Sequence, residues 1–279
     1  MTTAVRTLRR ATLEDLRAKI DAIDDSLHDL LMRRAGLAAD IARLKTAAPG
    51  SNGVFFRAGR EAAVVRRILG RHRGPFPAAA VVRIWREIVA GVLSLQGELT
   101  VAASSPELIE MAREHFGSGS GLRRFASPAA AIRALGQRRA TAALAPWPGS
   151  TPDRRWWFAL AKASTKVDAP RVVAALPVLG ERPAAVVLAN AAPEPSGDDR
   201  TLIVVRGTVT AKAIARALSH ARLDGAVIAR GDGATLVDVD GFVADDSPSL
   251  TALRVALGAK GVTVIGAYAK SVSMRGERA

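Results

Sequence analysis

The sequence predicts a multidomain protein, with an all-α segment over residues 1–97, an α/β segment over 98–198 and a βαββαβ module over 199–279. Three observations carry this. Apolar residues recur at helical spacing from Leu16 to Leu44, with Arg34 at one seam position. At Leu99 the pattern changes to short apolar runs alternating with helical stretches. From Thr201 onward the order is strand, helix, strand, strand, helix, strand, which is the ferredoxin-like pattern.

A chain of 279 residues, 49% hydrophobic and 24% charged, is long enough for two or three cores. Its first helix spans 12 to 45, with Thr12 as the cap and Asp15 at the third position of a capping-box-like arrangement. Ala47 to Gly53 is a loop by composition. A second helix follows from Arg57 to Arg71, and Arg73-Gly74-Pro75 ends it. The third runs from Pro77 to Gln96 with Val81, Trp85, Ile88, Val92 and Leu95 at helical spacing, and Gly97 terminates it. Strands are then expected at Leu99–Ala103, Leu122–Ala126 and Thr141–Ala145, separated by helices at Pro106–Phe116 and Pro128–Leu135. Prolines and glycines thicken between Pro146 and Gly197. Beyond them come strand Thr201–Arg206, helix Ala211–Leu223, strands Gly225–Ala229 and Thr235–Val239, helix Ser249–Leu257 and strand Val262–Tyr268.

Composition removes several function classes. The chain has no cysteine, so disulfides, thiolate catalysis and cysteine-based zinc sites are excluded. The longest apolar candidate for a membrane span, Ala169 to Ala192, is interrupted by Arg171, Glu181, Arg182 and three prolines. Arg9-Arg10 leads directly into Thr12-Leu13-Glu14-Asp15 with no apolar stretch of a signal peptide, and a cytoplasmic protein is expected. The net charge of +14 invites a nucleic-acid reading, yet residues 1–99 and 100–279 each carry +7 and the chain has one Tyr and four Trp. Charge spread so evenly, with few rings to stack bases, argues against that reading. The pairs Asp198-Asp199 and Asp245-Asp246 read as turn residues, so no metal is expected. Trp147, Trp156 and Trp157 read as core or interface anchors.

The informative chemistry lies on the first helix. Its seam is Leu16, Ile20, Ile23, Leu27, Leu30, Arg34, Leu37, Ile41 and Leu44, with steps of four and three throughout and an arginine at one position. A cation in an apolar seam needs a partner, either a protein carboxylate or an anionic ligand. Lys45 lies 11 residues beyond Arg34, almost three whole turns, so both project from one face about 16 Å apart, a gap a small dianion can bridge. Arg17 shares the heptad phase of Lys45 but is 28 residues away, about 42 Å along the helix. The two can meet one small molecule only if they come from two chains. An intertwined antiparallel dimer would also bury so long a seam. Arg60-Glu61 opens the second helix, and Gln96 closes the third on the stripe of Trp85, Val89 and Val92.

Taken together, Leu16-Arg17-Ala18-Lys19-Ile20-Asp21-Ala22-Ile23-Asp24, Leu30-Leu31-Met32-Arg33-Arg34, Ile41-Ala42-Arg43-Leu44-Lys45, Arg60-Glu61 and Leu95-Gln96 resemble the all-helical (AroQ-type) chorismate mutase family over residues 12 to 97. The resemblance implies a three-helix intertwined dimer in which an arginine crosses the interface, and the Claisen rearrangement of chorismate to prephenate in phenylalanine and tyrosine biosynthesis. It implies that Arg17 from the partner chain and Arg34 bind the two carboxylates, while Lys45 serves a carboxylate and the ether oxygen. Gln96 would donate to the ether oxygen, Arg60 would line the pocket and Glu61 would accept from the ring hydroxyl. A pericyclic reaction needs no nucleophile, metal or cofactor, so the scattered His28, His72, His115 and His220 fit it. Two positions depart from the family: Val92 stands where a small polar residue is common, and Arg57 where an acid is frequent. Isochorismate pyruvate-lyase uses the same scaffold and similar cations, and a non-catalytic regulator or scaffold of the shikimate pathway is the reading from another class.

The order of the whole chain resembles a bifunctional mutase and prephenate dehydratase carrying a regulatory ACT domain. The resemblance implies a periplasmic-binding-like α/β segment and an ACT-like tail, with Leu236-Val237-Asp238-Val239-Asp240-Gly241 and Val262-Thr263-Val264-Ile265-Gly266-Ala267-Tyr268 as its best-matched part. The Thr-Arg-Phe motif of a dehydratase is reduced to Arg200-Thr201-Leu202-Ile203, and the ACT phenylalanine-binding motifs are missing from Thr208 to Gly233, so dehydratase activity is not expected.

Overall fold

The computed structural model describes residues 12–46, 56–149, 156–163, 169–258 and 261–273. The chain divides into two compact units, residues 1–53 and 54–279.

The first unit contains one long helix, α1 (Leu13–Thr46). Its N-terminus is a reciprocal box: the Asp15 amide donates to Thr12 Oγ1 at 3.1 Å, and the Thr12 amide donates to Asp15 Oδ2 at 2.9 Å. That bond holds the Asp15 carboxyl below its ordinary range. The predicted seam is on the surface, with Leu16 49%, Leu30 61% and Leu44 74% exposed.

The second unit opens with a helical hairpin, α2 (Ala58–Arg71) and α3 (Ala78–Ser94). A nine-stranded sheet follows. Strands β1 (Thr100–Ala103), β2 (Gly121–Arg124) and β3 (Ala142–Pro146) are parallel, linked by α4 (Pro106–Phe116) and α5 (Pro128–Gly136). Ser105 and Ser127 cap these helices and proline begins each, as helix-start chemistry favours. The proline-rich stretch holds α6 (Trp156–Ala163) and the antiparallel pair β4 (Arg171–Leu176) and β5 (Ala185–Ala189). The apolar run weighed as a membrane span is thus two buried strands. Among the described residues no helix is long and apolar enough to cross a membrane.

Strands β6 (Asp199–Arg206), β7 (Gly225–Gly231), β8 (Ala234–Asp240) and β9 (Val262–Ala269) with α7 (Ala211–His220) and α8 (Pro248–Ala256) form the expected βαββαβ order, and its four strands pair antiparallel. It joins the first half of the sheet through the parallel contact of β4 with β9, where Val172 faces Gly266. Gly266 has φ +151, and a Cβ there would run into the Val172 backbone, so this junction requires glycine.

Three apolar clusters hold the unit. One contains Leu135, Trp157, Leu160, Leu188, Leu202 and Leu236. Another packs α7 and α8 on Ile203, Val205 and Val237. The third gathers Val101, Leu108, Phe116, Leu144 and Val187 with Phe56, Ala58 and Leu93, which seats the α2–α3 hairpin on the sheet and α4. The approach is close: a Cβ on Gly59 would lie 2.9 Å from the Glu194 carbonyl carbon. The tryptophans are anchors, with Trp156 donating to the Pro146 carbonyl at 3.0 Å and Trp147 set edge-on to Tyr268.

Candidate active site

Each unit presents its own share of the expected residues. On α1, Arg17 and Arg34 are exposed, and the helix runs unbroken through Lys45, whose side chain lies outside the described residues. A continuous helix fixes the axial spacing, so the rises of about 16 Å from Arg34 to Lys45 and about 42 Å from Arg17 to Lys45 follow. Arg34 was expected to need a partner because of burial; in the single chain its seam is open to solvent and imposes no such cost.

On the hairpin, Arg60 is exposed on the first turn of α2, and Glu61 beside it points inward. Gln96 follows α3, which ends at Ser94; its amide donates to the Leu93 carbonyl at 3.0 Å, and the residue is half-buried. Phe56 and Leu93 share a cluster, so Arg60, Glu61 and Gln96 lie at one end of the hairpin.

Glu61 is held by a residue the sequence reading passed over. Arg86, 5% exposed, donates through Nη1 to Glu61 Oε2 at 2.9 Å, with the Glu61 side chain 12% exposed. Burial raises the Glu61 carboxyl from 4.5 to about 7 even though Arg86 pulls it down, and the same burial lowers the Arg86 guanidinium. Both shifts say that desolvation outweighs the attraction within the pair. His115 on α4 stands close by, its proton pushed off by burial and then by Arg86. The signal for Arg86 was available: it interrupts the buried stripe Ala78, Val82, Arg86, Ala90 on α3, as Arg34 interrupts the seam of α1. The departure at Arg57 also finds its reason, since Arg57 Nε donates to both carboxylate oxygens of Glu194 at 2.9 and 3.0 Å.

Chemically, the groups on α1 are cations strung along one helix. The hairpin end adds a cation, an amide and a carboxylate. Among the described residues no group of three or more His, Asp or Glu could hold a metal ion.

Residues 16–97 match the family model described as Chorismate mutase type II, and the match spans Arg17, Arg34, Lys45, Arg60, Glu61 and Gln96. This segment is therefore similar to the chorismate mutase domains of that type. More particularly, a bifunctional chorismate mutase/prephenate dehydratase of Pseudomonas aeruginosa is 39% identical over 111 residues, covering 38% of this chain and 30% of the relative. One from Stutzerimonas stutzeri is 38% identical over 97 residues, covering 34% of this chain and 27% of the relative. The chain thus matches about a third or less of the length of these curated relatives. The solved structure of a prephenate dehydratase from Arthrobacter aurescens in complex with L-Phe is 13% identical, with a TM-score of 0.45, covering 62% of this chain and 90% of that one.

Proposed function

We propose that the chain is a homodimeric, cytoplasmic chorismate mutase of phenylalanine and tyrosine biosynthesis, converting chorismate to prephenate without cofactor or metal. The observation that carries this reading is the position of Arg17, Arg34 and Lys45 on one uninterrupted 34-residue helix inside the matched segment. A single chain cannot bring Arg17 and Lys45 to one substrate across about 42 Å, whereas two antiparallel copies can. The exposed seam supports the same arrangement, because its pairing would remove a row of leucines and isoleucines from water.

In this mechanism arginines grip the carboxylates bidentately and hold chorismate in its compact diaxial conformer, so that the bond-forming carbons are already near one another. Arg17 of the partner subunit and Arg34 take the carboxylates, and Arg60 lines the pocket. Lys45 and Gln96 stabilise the charge that grows on the ether oxygen as the C–O bond breaks. Glu61 accepts from the ring hydroxyl through Oε1, with Oε2 held by Arg86.

The α/β region is dehydratase-like in this reading, and the βαββαβ module is ACT-like, supported by its antiparallel four-strand pairing. Dehydratase activity is not part of the proposal, since the Thr-Arg-Phe motif is not intact. The test is disappearance of chorismate absorbance with products separated. Wild type should form prephenate, and Lys45→Ala should lose about 3–4 kcal/mol of transition-state stabilisation, a 100- to 1,000-fold fall in kcat. Phenylpyruvate would restore the dehydratase, salicylate from isochorismate would favour the lyase, and no turnover in wild type would leave a regulator or scaffold.

A further inference from the structure

Arg86 also lines a cavity whose walls include none of Arg60, Glu61 and Gln96. This cavity, of about 230 Å³, lies between α3, α4 and the segment after β4, walled by Val82, Met111, Leu176 and Val178 and floored by Arg86 and His115. An apolar cavity of about 150 Å³ accommodates benzene, so this volume suits a small ring with a short polar arm.

The floor is built for an acceptor. Among the described residues the one hydrogen bond of the Arg86 side chain is from Nη1 to Glu61, which leaves Nε and Nη2 to the cavity. His115 is 7% exposed, and among the described residues neither ring nitrogen has a hydrogen-bond partner. The unused N–H groups of a planar guanidinium and a neighbouring imidazole N–H are donors of the kind that pair with the oxygens of a carboxylate. Leaving the imidazole nitrogens of His115 buried and unmatched is costly, and a ligand that meets one of them recovers part of that cost on binding. We propose that this cavity binds a small organic carboxylate, its oxygens on Arg86 and His115 and its apolar body against Val82, Met111 and Leu176.

The surrounding charges permit an anion. Glu61 already opposes Arg86, but its carboxyl titrates near neutrality and can take up a proton, leaving the guanidinium to the ligand. Arg66 and Lys270, which border a smaller neighbouring cavity, are engaged elsewhere, Arg66 by carbonyls and Ser196 and Lys270 by Asp198 and Asp240. At the mouth Arg83 and Glu114 are both exposed and offset one another. The inference does not depend on the mutase reading, and its test reads binding, not turnover.

Calorimetric titration of the full chain with 3-phenylpropionate and with its neutral isostere 3-phenylpropanamide separates the possibilities. The acid should bind one per chain with a Kd of about 0.1–1 mM, and the amide about tenfold or more weaker. Met111→Trp, which fills the cavity, should abolish binding while far-UV circular dichroism is kept. Ala79→Phe fills it from the first turn of α3 and serves if Met111→Trp does not fold. Equal binding of acid and amide, no saturable binding to folded wild type, or full binding by a folded, filled variant would each overturn the proposal.

Discussion

At the scale of single residues, two arginines sit where apolar side chains belong, and burial gives them different consequences. Arg34 is exposed in the single chain, while Arg86 is enclosed and has drawn Glu61 in with it. The pair makes stability depend on pH with a definite sign. Folding raises the Glu61 carboxyl from 4.5 to about 7, so between those values the folded state binds more protons than the unfolded state. The Glu61 contribution therefore falls as pH rises through that window. In denaturant unfolding at pH about 5 and about 7.5, Glu61→Gln should gain on wild type by about 1–3 kcal/mol across the interval. His115 acts in the opposite direction, favouring the fold as pH rises through its ordinary 6.5, and it cancels because both chains carry it. An unchanged difference between the two proteins would show that Glu61 does not titrate in this window. The placement of Arg34 and Lys45 on one helix was legible because spacing alone carries it, whereas the roles expected of Lys45 and Gln96 come only from the family resemblance. The Glu61–Arg86–His115 grouping was not legible, because it joins three helices that no periodicity relates.

At the scale of elements, α1 is the clearest case of local signals agreeing. Its cap, its length and its seam were all readable, since each depends on residues within one helix. An acid placed in the seam should leave this helix formed but prevent its pairing. Leu27→Asp is expected to sediment as a monomer where wild type sediments as a dimer, and to lose mutase activity with it. A wild-type monomer would contradict the shared site. The central sheet was only partly readable. β4 and β5 are short continuous apolar runs bounded by prolines, a pattern that fits a buried strand or a piece of buried helix equally well. α6 lies in the same proline-rich stretch, where composition suggests loop. Nor could sequence pattern reveal that β9 pairs in parallel with β4, Val172 opposite Gly266. Gly266→Ala should lower unfolding stability by about 2–4 kcal/mol, through positive φ and the clash with Val172. A change within about 0.5 kcal/mol would mean that the junction tolerates a side chain.

At the scale of the whole molecule, one continuous sheet carries both the α/β segment and the βαββαβ module, with the α2–α3 hairpin seated on it. The long helix α1 forms its own compact unit with its apolar seam open. The central claim is that two such chains share each mutase site, with Arg17 from one and Lys45 from the other. Mixing Arg17→Ala with Lys45→Ala, unfolding and refolding them together, and assaying prephenate formation tests this most directly. Each heterodimer would hold one intact site and one doubly defective site. Activity should recover to about a quarter of wild type per chain, from two chains that are inactive alone. Activity no greater than the sum of the separate variants, with heterodimers demonstrably formed, would contradict a shared site.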